Sequence, residues 1–166
     1  MQTELHDGES RAFIALGANL GDAKRSVHEA VDKISALPQT RLIARSSLYR
    51  SAPVEASGPD FINAVVAVAT RLEPLDLLSR LQAIELDHGR ERPYRNAPRT
   101  LDLDLLLYGD RSFASPTLTV PHPRLHQRAF VLLPLAELAP EIEVPGQGAV
   151  GALLPSVAGQ AIERLL

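Results

Sequence analysis

The chain has 166 residues, 45% apolar and 22% charged, which excludes wholesale disorder and gives enough length for one domain with a single core. It has no cysteine, so disulfides, thiolate zinc sites and thiol nucleophiles are all excluded. A net charge of -3 argues against duplex nucleic acid as a partner, though local arginine clusters still suit small anions.

The start, Met1 to Ser10, is polar and mildly acidic. It lacks the basic-then-apolar pattern of a secretion signal, and no apolar run approaches the roughly 18 residues of a membrane span. The expectation is a cytoplasmic protein with a flexible lead-in over residues 1–10 and a single domain over 11–166.

"RAFIALG" reads as a first strand, stopped by "GANLGD", whose glycines at 17 and 21 suit a strand-to-helix turn. That segment also resembles a phosphate cradle loosely, but it is neither the dinucleotide fingerprint nor a lysine-bearing P-loop. Asp22 is placed to cap a helix in which Val27, Ala30, Val31, Ile34 and Leu37 recur at helical spacing until Pro38. "TRLIARSSLYRS" reads as one strand and "PVEASGP" as a loop.

"DFINAVVAVATRL" is apolar on both sides: Phe61, Asn63, Val65, Ala67 and Ala69 share one face, and Ile62, Ala64, Val66 and Val68 the other. Such a strand belongs in the middle of a sheet. Pro74 opens a second helix with a stripe of Leu78, Leu81, Gln82, Glu85 and His88. A basic stretch follows, His88 to Arg99, with arginines at 90, 92, 95 and 99.

"PRTLDLDLLLYGD" then reads as a strand, with Leu101, Leu103 and Leu105 on one face and Asp102, Asp104 and Leu106 on the other. Strand, helix, strand, strand, helix, strand is the order of a ferredoxin-like α+β sandwich, for which an antiparallel sheet with its helices on one face is expected. Beyond it the tail reads as a C-terminal extension. It offers turns, a short apolar helix interrupted by Pro134, then from residue 145 a loop and a weak terminal helix.

The two aspartates lie about 7 Å apart along such a strand. They are either the wet face of an antiparallel strand or a pair of hard-oxygen ligands whose mutual repulsion a divalent cation relieves. Leucines at 105–107 close both faces directly afterwards, and arginines precede the pair. Acids for metal beside arginines for phosphate form the composition that phosphoryl transfer needs.

Other residues carry two readings each. His122 is either a surface histidine or, with Arg128, part of an anion site, and Glu85 either a boundary position or a ligand-binding acid. Asn63, a carboxamide between Phe61 and Val65, must find partners in protein or in a hydrogen-bonding heterocycle. Phe61 and Phe130 are either core aromatics or stacking platforms for a flat ligand.

"ALGANLGD", "SSLYRSAPV", "DFINAVV", "IELDHGRER", "APRTLDLDLLLYG" and "VPHPRLHQRAFVLLPLAELAPE" together resemble the 6-hydroxymethyl-7,8-dihydropterin pyrophosphokinase family in order and spacing, from about Ala12 to Glu141. The resemblance implies a monomeric, magnesium-dependent enzyme of ferredoxin-like fold in folate biosynthesis. Such an enzyme transfers pyrophosphate from ATP to the hydroxymethyl group of the pterin and releases AMP.

By motif, the resemblance makes Asp102 and Asp104 the ligands of two Mg2+ ions. It makes Arg90 and Arg92 catalytic, with Arg92, Arg99, His122 and Arg128 on the ATP phosphates and Gln82, Glu85 and Leu105 along the nucleotide pocket. It sets Phe61 and Phe130 on opposite faces of the pterin, Asn63 at its amide edge, and Ser51, Ala52 and Val54 beside it. Where many relatives have Trp-Gly before Pro-Arg, this chain has Asn96 and Ala97, so an indole lid is absent at that position.

Two other readings compete: a palm-like two-metal nucleotidyltransferase, which would release pyrophosphate instead of AMP, and a nucleotide-binding domain without chemistry.

Overall fold

The computed structural model describes residues 5–19, 21–52, 59–88 and 101–165. Strand β1 (Ser10–Ala18) leads into helix α1 (Ala23–Ser35), followed by β2 (Thr40–Arg45), β3 (Tyr49–Ser51), β4 (Phe61–Thr70), α2 (Pro74–His88) and β5 (Asp102–Tyr108). The sheet is antiparallel throughout, in the order β3-β4-β1-β5, with β2 also on β4 and a late strand, β10 (Ile162–Arg164), on the outside of β3. The first strand thus ends up between β4 and β5, the last two strands of the βαββαβ order, an α+β sandwich of the expected kind.

Alternation along β4 decides where the layers go. Ile62, Ala64, Val66 and Val68 face a lower core with Val27, Val31 and Ile34 of α1 and Leu77, Leu81 and Ile84 of α2. Val65, Ala67 and Ala69 face an upper core with Val131, Leu132 and Leu135 of α3 (Ala129–Leu138). Both faces are therefore covered, whereas helices on one face alone were expected. The third helix supplies the second layer, and burying Val131, Leu132 and Leu135 contributes about 1.5–3 kcal/mol each.

Local chemistry explains most of the element boundaries. The Asp22 carboxylate accepts from the Arg25 N–H at 3.1 Å and caps α1 as expected. Of the anticipated α2 stripe, Leu81 is fully buried and Leu78 partly, but the buried line runs through Leu77, Leu81 and Ile84 and leaves Gln82 exposed. Within α3 the chain continues through Pro134, where packing outweighs the hydrogen bond that a proline cannot donate.

The "TRLIARSSLYRS" segment is two strands instead of one. At the break, the Ser46 N–H donates to the Val65 carbonyl at 2.9 Å, and the Ser46 hydroxyl accepts from the Val65 N–H at 2.9 Å. A side chain thus replaces one ladder acceptor and lets β2 and β3 share the same edge of β4. Glu137 of α3 holds the following residues, its carboxylate accepting from the Ser47 N–H at 3.0 Å and from the Tyr49 hydroxyl at 2.8 Å. Burial and this carboxylate push the Tyr49 phenol up to about 12.

Strand β5 carries one extra residue against β1: Ile14 faces Leu105 while Phe13 faces Leu107, so Leu106 is a bulge. Leu106 and Leu107 consequently both enter the upper core, while Leu103 and Leu105 lie in the lower one. Residues 113–120 and 143–149 form two small hairpins, β6–β7 (Phe113–Ala114 and Thr119–Val120) and β8–β9 (Glu143–Val144 and Gly148–Ala149), before a short α4 (Val150–Leu153). The weak terminal helix expected beyond residue 145 is two short turns, α4 and a 3₁₀ turn over Leu154–Val157, after which β10 pairs with β3.

Within the polar lead-in, the Glu9 side chain is 3% exposed and pairs with Arg41 at 3.0 Å. Hydrogen bonds from Arg41 and from the His6 N–H hold its carboxyl near 2.

Candidate active site

A cavity of about 890 Å³ opens over the sheet beside the first turn of α3, where Ala129 and Phe130 of the upper core form part of its wall. Its floor is a row fixed by strand register. Asn63 of β4 and Asp102 of β5 both stand opposite Gly17 of β1, and Asp104 stands opposite Ala15. Strands lie about 4.8 Å apart, so Asn63 and Asp102 are separated by about 10 Å across a residue with no side chain.

Gly17 therefore belongs to the strand and to the floor of the cavity, not to the turn expected for it. Only Gly21, at φ +61°, serves the turn. A Cβ on Gly17 would come within 3.3 Å of Asn63 Oδ1 and 3.9 Å of Phe61 Cδ1. The two neighbours that would meet it are the expected carboxamide and one of the expected aromatics.

Asn63 is 3% exposed, and its Nδ2 donates to the Ser51 hydroxyl at 2.7 Å. That bond orients the carboxamide from β3 and leaves its carbonyl oxygen and a second N–H available for a heterocycle. Ser51, Ala52 and Phe61 line the same end of the cavity. Phe130, in the first turn of α3, lines it too, with the Arg128 guanidinium 5.5 Å from its ring centre.

At the other end Asp102 and Asp104 line the cavity, half-buried on the same face of β5. Between them Leu103 points down, and its N–H donates to Glu85 Oε2 of α2 at 2.8 Å. Glu85 thus lines the cavity and also holds the backbone from which both aspartates project. Two neighbouring carboxylates fit magnesium, which keeps several waters and completes its shell with phosphate oxygens.

His122 lines the cavity within reach of the Asp104 charge. Its backbone N–H donates to the Leu106 carbonyl at 3.0 Å, and its Nδ1 accepts from the Arg124 N–H at 3.2 Å. Burial pushes its pKa below the ordinary imidazole value and Arg128 and Arg124 act the same way, while Asp104 pulls it back up. A neutral ring with Nδ1 accepting carries its proton on Nε2, a donor without charge.

The structure brings together Ser51, Ala52, Phe61, Asn63, Glu85, Asp102, Asp104, His122, Arg128 and Phe130 around one cavity. Gln82 is exposed on α2 and Leu105 lies in the lower core, and neither lines it. Arg90, Arg92, Arg99 and Val54 lie outside the described residues. The sequence reading missed Ala15, Arg124, Gln127 and the stretch Gln160–Ile162, all of which line the cavity. Arg124 and Gln127 lie between the expected His122 and Arg128, a proximity the sequence offered; nothing local pointed to residue 160.

A βαββαβ sheet with paired carboxylates at one end of a cleft and arginines beside it has the make-up of a phosphoryl-transfer enzyme. Residues 13–140 match the model of the 7,8-dihydro-6-hydroxymethylpterin-pyrophosphokinase (HPPK) family. The chain is 48% identical over 156 residues to a 2-amino-4-hydroxy-6-hydroxymethyldihydropteridine pyrophosphokinase of Pseudomonas aeruginosa, covering 93% of this chain and 96% of that protein. It is 41% identical over 155 residues to the protein of that name from Haemophilus influenzae, covering 93% and 97%.

Among solved structures, a Plasmodium falciparum HPPK-DHPS aligns with a TM-score of 0.71 at 15% identity, covering 93% of this chain and 46% of that one. This chain thus spans less than half of that structure's length, and the likeness there is one of fold.

The chain belongs to the HPPK family: it is an ATP-dependent pyrophosphokinase of folate biosynthesis acting on a hydroxymethyldihydropterin. Its substrates are ATP and the pterin alcohol, and the family's chemistry uses magnesium. A nucleotidyltransferase and a domain without chemistry are not favoured. Among the described residues no helix is long and apolar enough to cross a membrane.

Proposed function

We propose that the pterin lies between Phe61 and Phe130 with its amide edge on Asn63, and that its hydroxymethyl arm reaches over Gly17 toward Asp102 and Asp104. The row Asn63–Gly17–Asp102 carries this reading: it sets the hydrogen-bonding edge and the carboxylates about two strand spacings apart with open space between. Ser51, Ala52 and Val54 complete the pterin end. A heterocycle without the matching edge leaves the Asn63 carboxamide unpaired, which discriminates strongly.

Asp102 and Asp104 hold two magnesium ions in this reading, which neutralise the phosphate oxygens and make the hydroxymethyl oxygen easier to deprotonate. Glu85 keeps the two carboxylates in register through the Leu103 N–H. His122, through Nε2–H, and Arg128 bind phosphate oxygens from above, and Arg90, Arg92 and Arg99 join them. The pterin oxygen attacks the β-phosphorus, a new O–P bond forms there, and the bond to the bridging oxygen of the α-phosphate breaks. AMP leaves with that oxygen, and the hydroxyl proton passes to solvent.

The chain is a single domain over 11–166 and acts as a cytoplasmic monomer, with no nucleic-acid or membrane partner. Its exposed large hydrophobics among the described residues, Leu5, Leu75 and Leu86, are scattered singly.

The test is incubation with ATP, Mg2+ and 6-hydroxymethyl-7,8-dihydropterin, with both products identified by mass spectrometry, for wild type and for Asp102→Ala and Asp104→Ala. AMP and the pterin diphosphate are expected from wild type, with turnover lost and unfolding midpoints kept in the variants. Turnover near wild type in both variants would remove the carboxylates from the mechanism.

A further inference from the structure

Arg128 occupies an unusual place in the chain. A 3₁₀ turn, Leu125–Gln127, precedes it and α3 begins directly after it, yet Arg128 itself is extended, at φ -121° and ψ 114°. It stands at the N-cap of α3 and its side chain caps nothing. A single extended residue between two helical segments needs a reason, because continuing the helix through it would gain hydrogen bonds.

The reason comes from the far end of the chain. Gln160 Oε1 accepts from the Ala129 N–H at 2.9 Å, and Gln160 Nε2 donates to the Gln127 carbonyl at 2.8 Å. One carboxamide thus bonds the peptide groups on both sides of Arg128 and does for α3 what an N-cap side chain does elsewhere. Gln160 is itself firmly mounted: its backbone N–H donates to the Val157 carbonyl at 3.0 Å, and two residues later the chain enters β10 on β3.

We infer that Gln160 is a positioning residue for the transfer reaction, clamping Arg128 in the extended conformation that points its guanidinium over Phe130 and into the cavity. The inference rests on the proposed role of Arg128 as a phosphate ligand. Without the clamp the 3₁₀ turn and α3 merge, and the Arg128 side chain leaves the cavity.

The experiment is a double-mutant cycle: Kd for the non-hydrolysable α,β-methylene analogue of ATP with Mg2+, measured by calorimetry for wild type, Gln160→Ala, Arg128→Ala and the double variant. Two hydrogen bonds of ordinary strength predict that Gln160→Ala weakens binding roughly five- to thirty-fold. In the Arg128→Ala background the same change should alter Kd less than about twofold, because there is no guanidinium left to position.

Should Gln160→Ala prove too unstable, Gln160→Glu keeps the acceptor for Ala129 and drops the donor to Gln127. An intermediate loss, again confined to the Arg128 background, supports the clamp. Unchanged affinity in Gln160→Ala alongside weakened affinity in Arg128→Ala overturns the clamp and leaves the proposed site standing. An equal loss from Gln160→Ala in both backgrounds overturns it in favour of direct contact. No effect of Arg128→Ala refutes the phosphate role on which the clamp depends.

Discussion

Gly17→Ala separates binding from stability within one methyl group. The new Cβ would sit 3.3 Å from Asn63 Oδ1, so the carboxamide must shift by a few tenths of an ångström, away from the position that its 2.7 Å bond to Ser51 now defines. Residue 17 has no positive φ, so alanine brings no backbone strain; restricting the unfolded chain adds up to about 1 kcal/mol and loosening the Asn63–Ser51 bond removes about as much, so the net stability should stay within about 1 kcal/mol of wild type. Misplacing one buried hydrogen-bonding edge costs about 1–3 kcal/mol, which is a roughly five- to hundred-fold weaker Kd for the pterin. Calorimetric titration with the pterin in the presence of the ATP analogue, beside urea unfolding of the same preparations, measures both quantities. Wild-type pterin affinity in Gly17→Ala would refute the assignment of Asn63 and of the cavity floor.

Glu85→Ala removes the acceptor for the Leu103 N–H and should loosen the strand between the two aspartates; the Mg2+ concentration for half-maximal turnover should rise several-fold, and an unchanged magnesium titration would contradict that role. Glu9 has its pKa drawn from 4.5 to about 2 in the folded state, so the stability it contributes is complete above pH 4.5 and fades as the pH falls toward 2. Acid unfolding of Glu9→Gln should accordingly lose part of its pH dependence between those values, and a curve parallel to wild type would deny the carboxyl that part. Tyr49 is the alkaline counterpart: with its phenol raised from 10 to about 12, its share of stability is intact below pH 10 and disappears as the pH climbs through 12. Tyr49→Phe should flatten the alkaline limb of the stability curve; a limb as steep as in wild type would count against it.

Period and alternation made much of this molecule legible. The helical spacing through Ile34 located α1, and the two-sided apolar character of residues 61–70 marked β4 as central. Alternation alone sets Phe61 with Asn63 on one face and Asp102 with Asp104 on another, because a strand's parity fixes its faces. Parity failed where the ladder carries an extra residue: nothing in "LDLDLLLYG" signals that Leu106 and Leu107 share a face.

Partners far apart in sequence were likewise hidden. Pairing of β10 with β3 joins residues more than a hundred positions apart, so the local pattern gave no hint of that strand or of Gln160. Gly17 was misread for a related reason. Next to Gly21 it has the composition of a turn, and only the register against Asn63 and Asp102 reveals it as open floor. The roles assigned to pterin and nucleotide came from the family resemblance, since alternation gives a face and not a ligand.

The extra residue at Leu106 has a mechanical consequence. On one side of it β5 is keyed to Ile14, Ala15, Leu16 and Gly17, and on the other to Ala12 and Phe13, so the strand is geared to its neighbour in two separate sections. A disturbance among the leucines and Tyr108 at the far end can be absorbed at that joint before it reaches the carboxylates. Substitutions at residues 107–108 should then alter how firmly the sheet is held while the spacing of the two acids stays as it is.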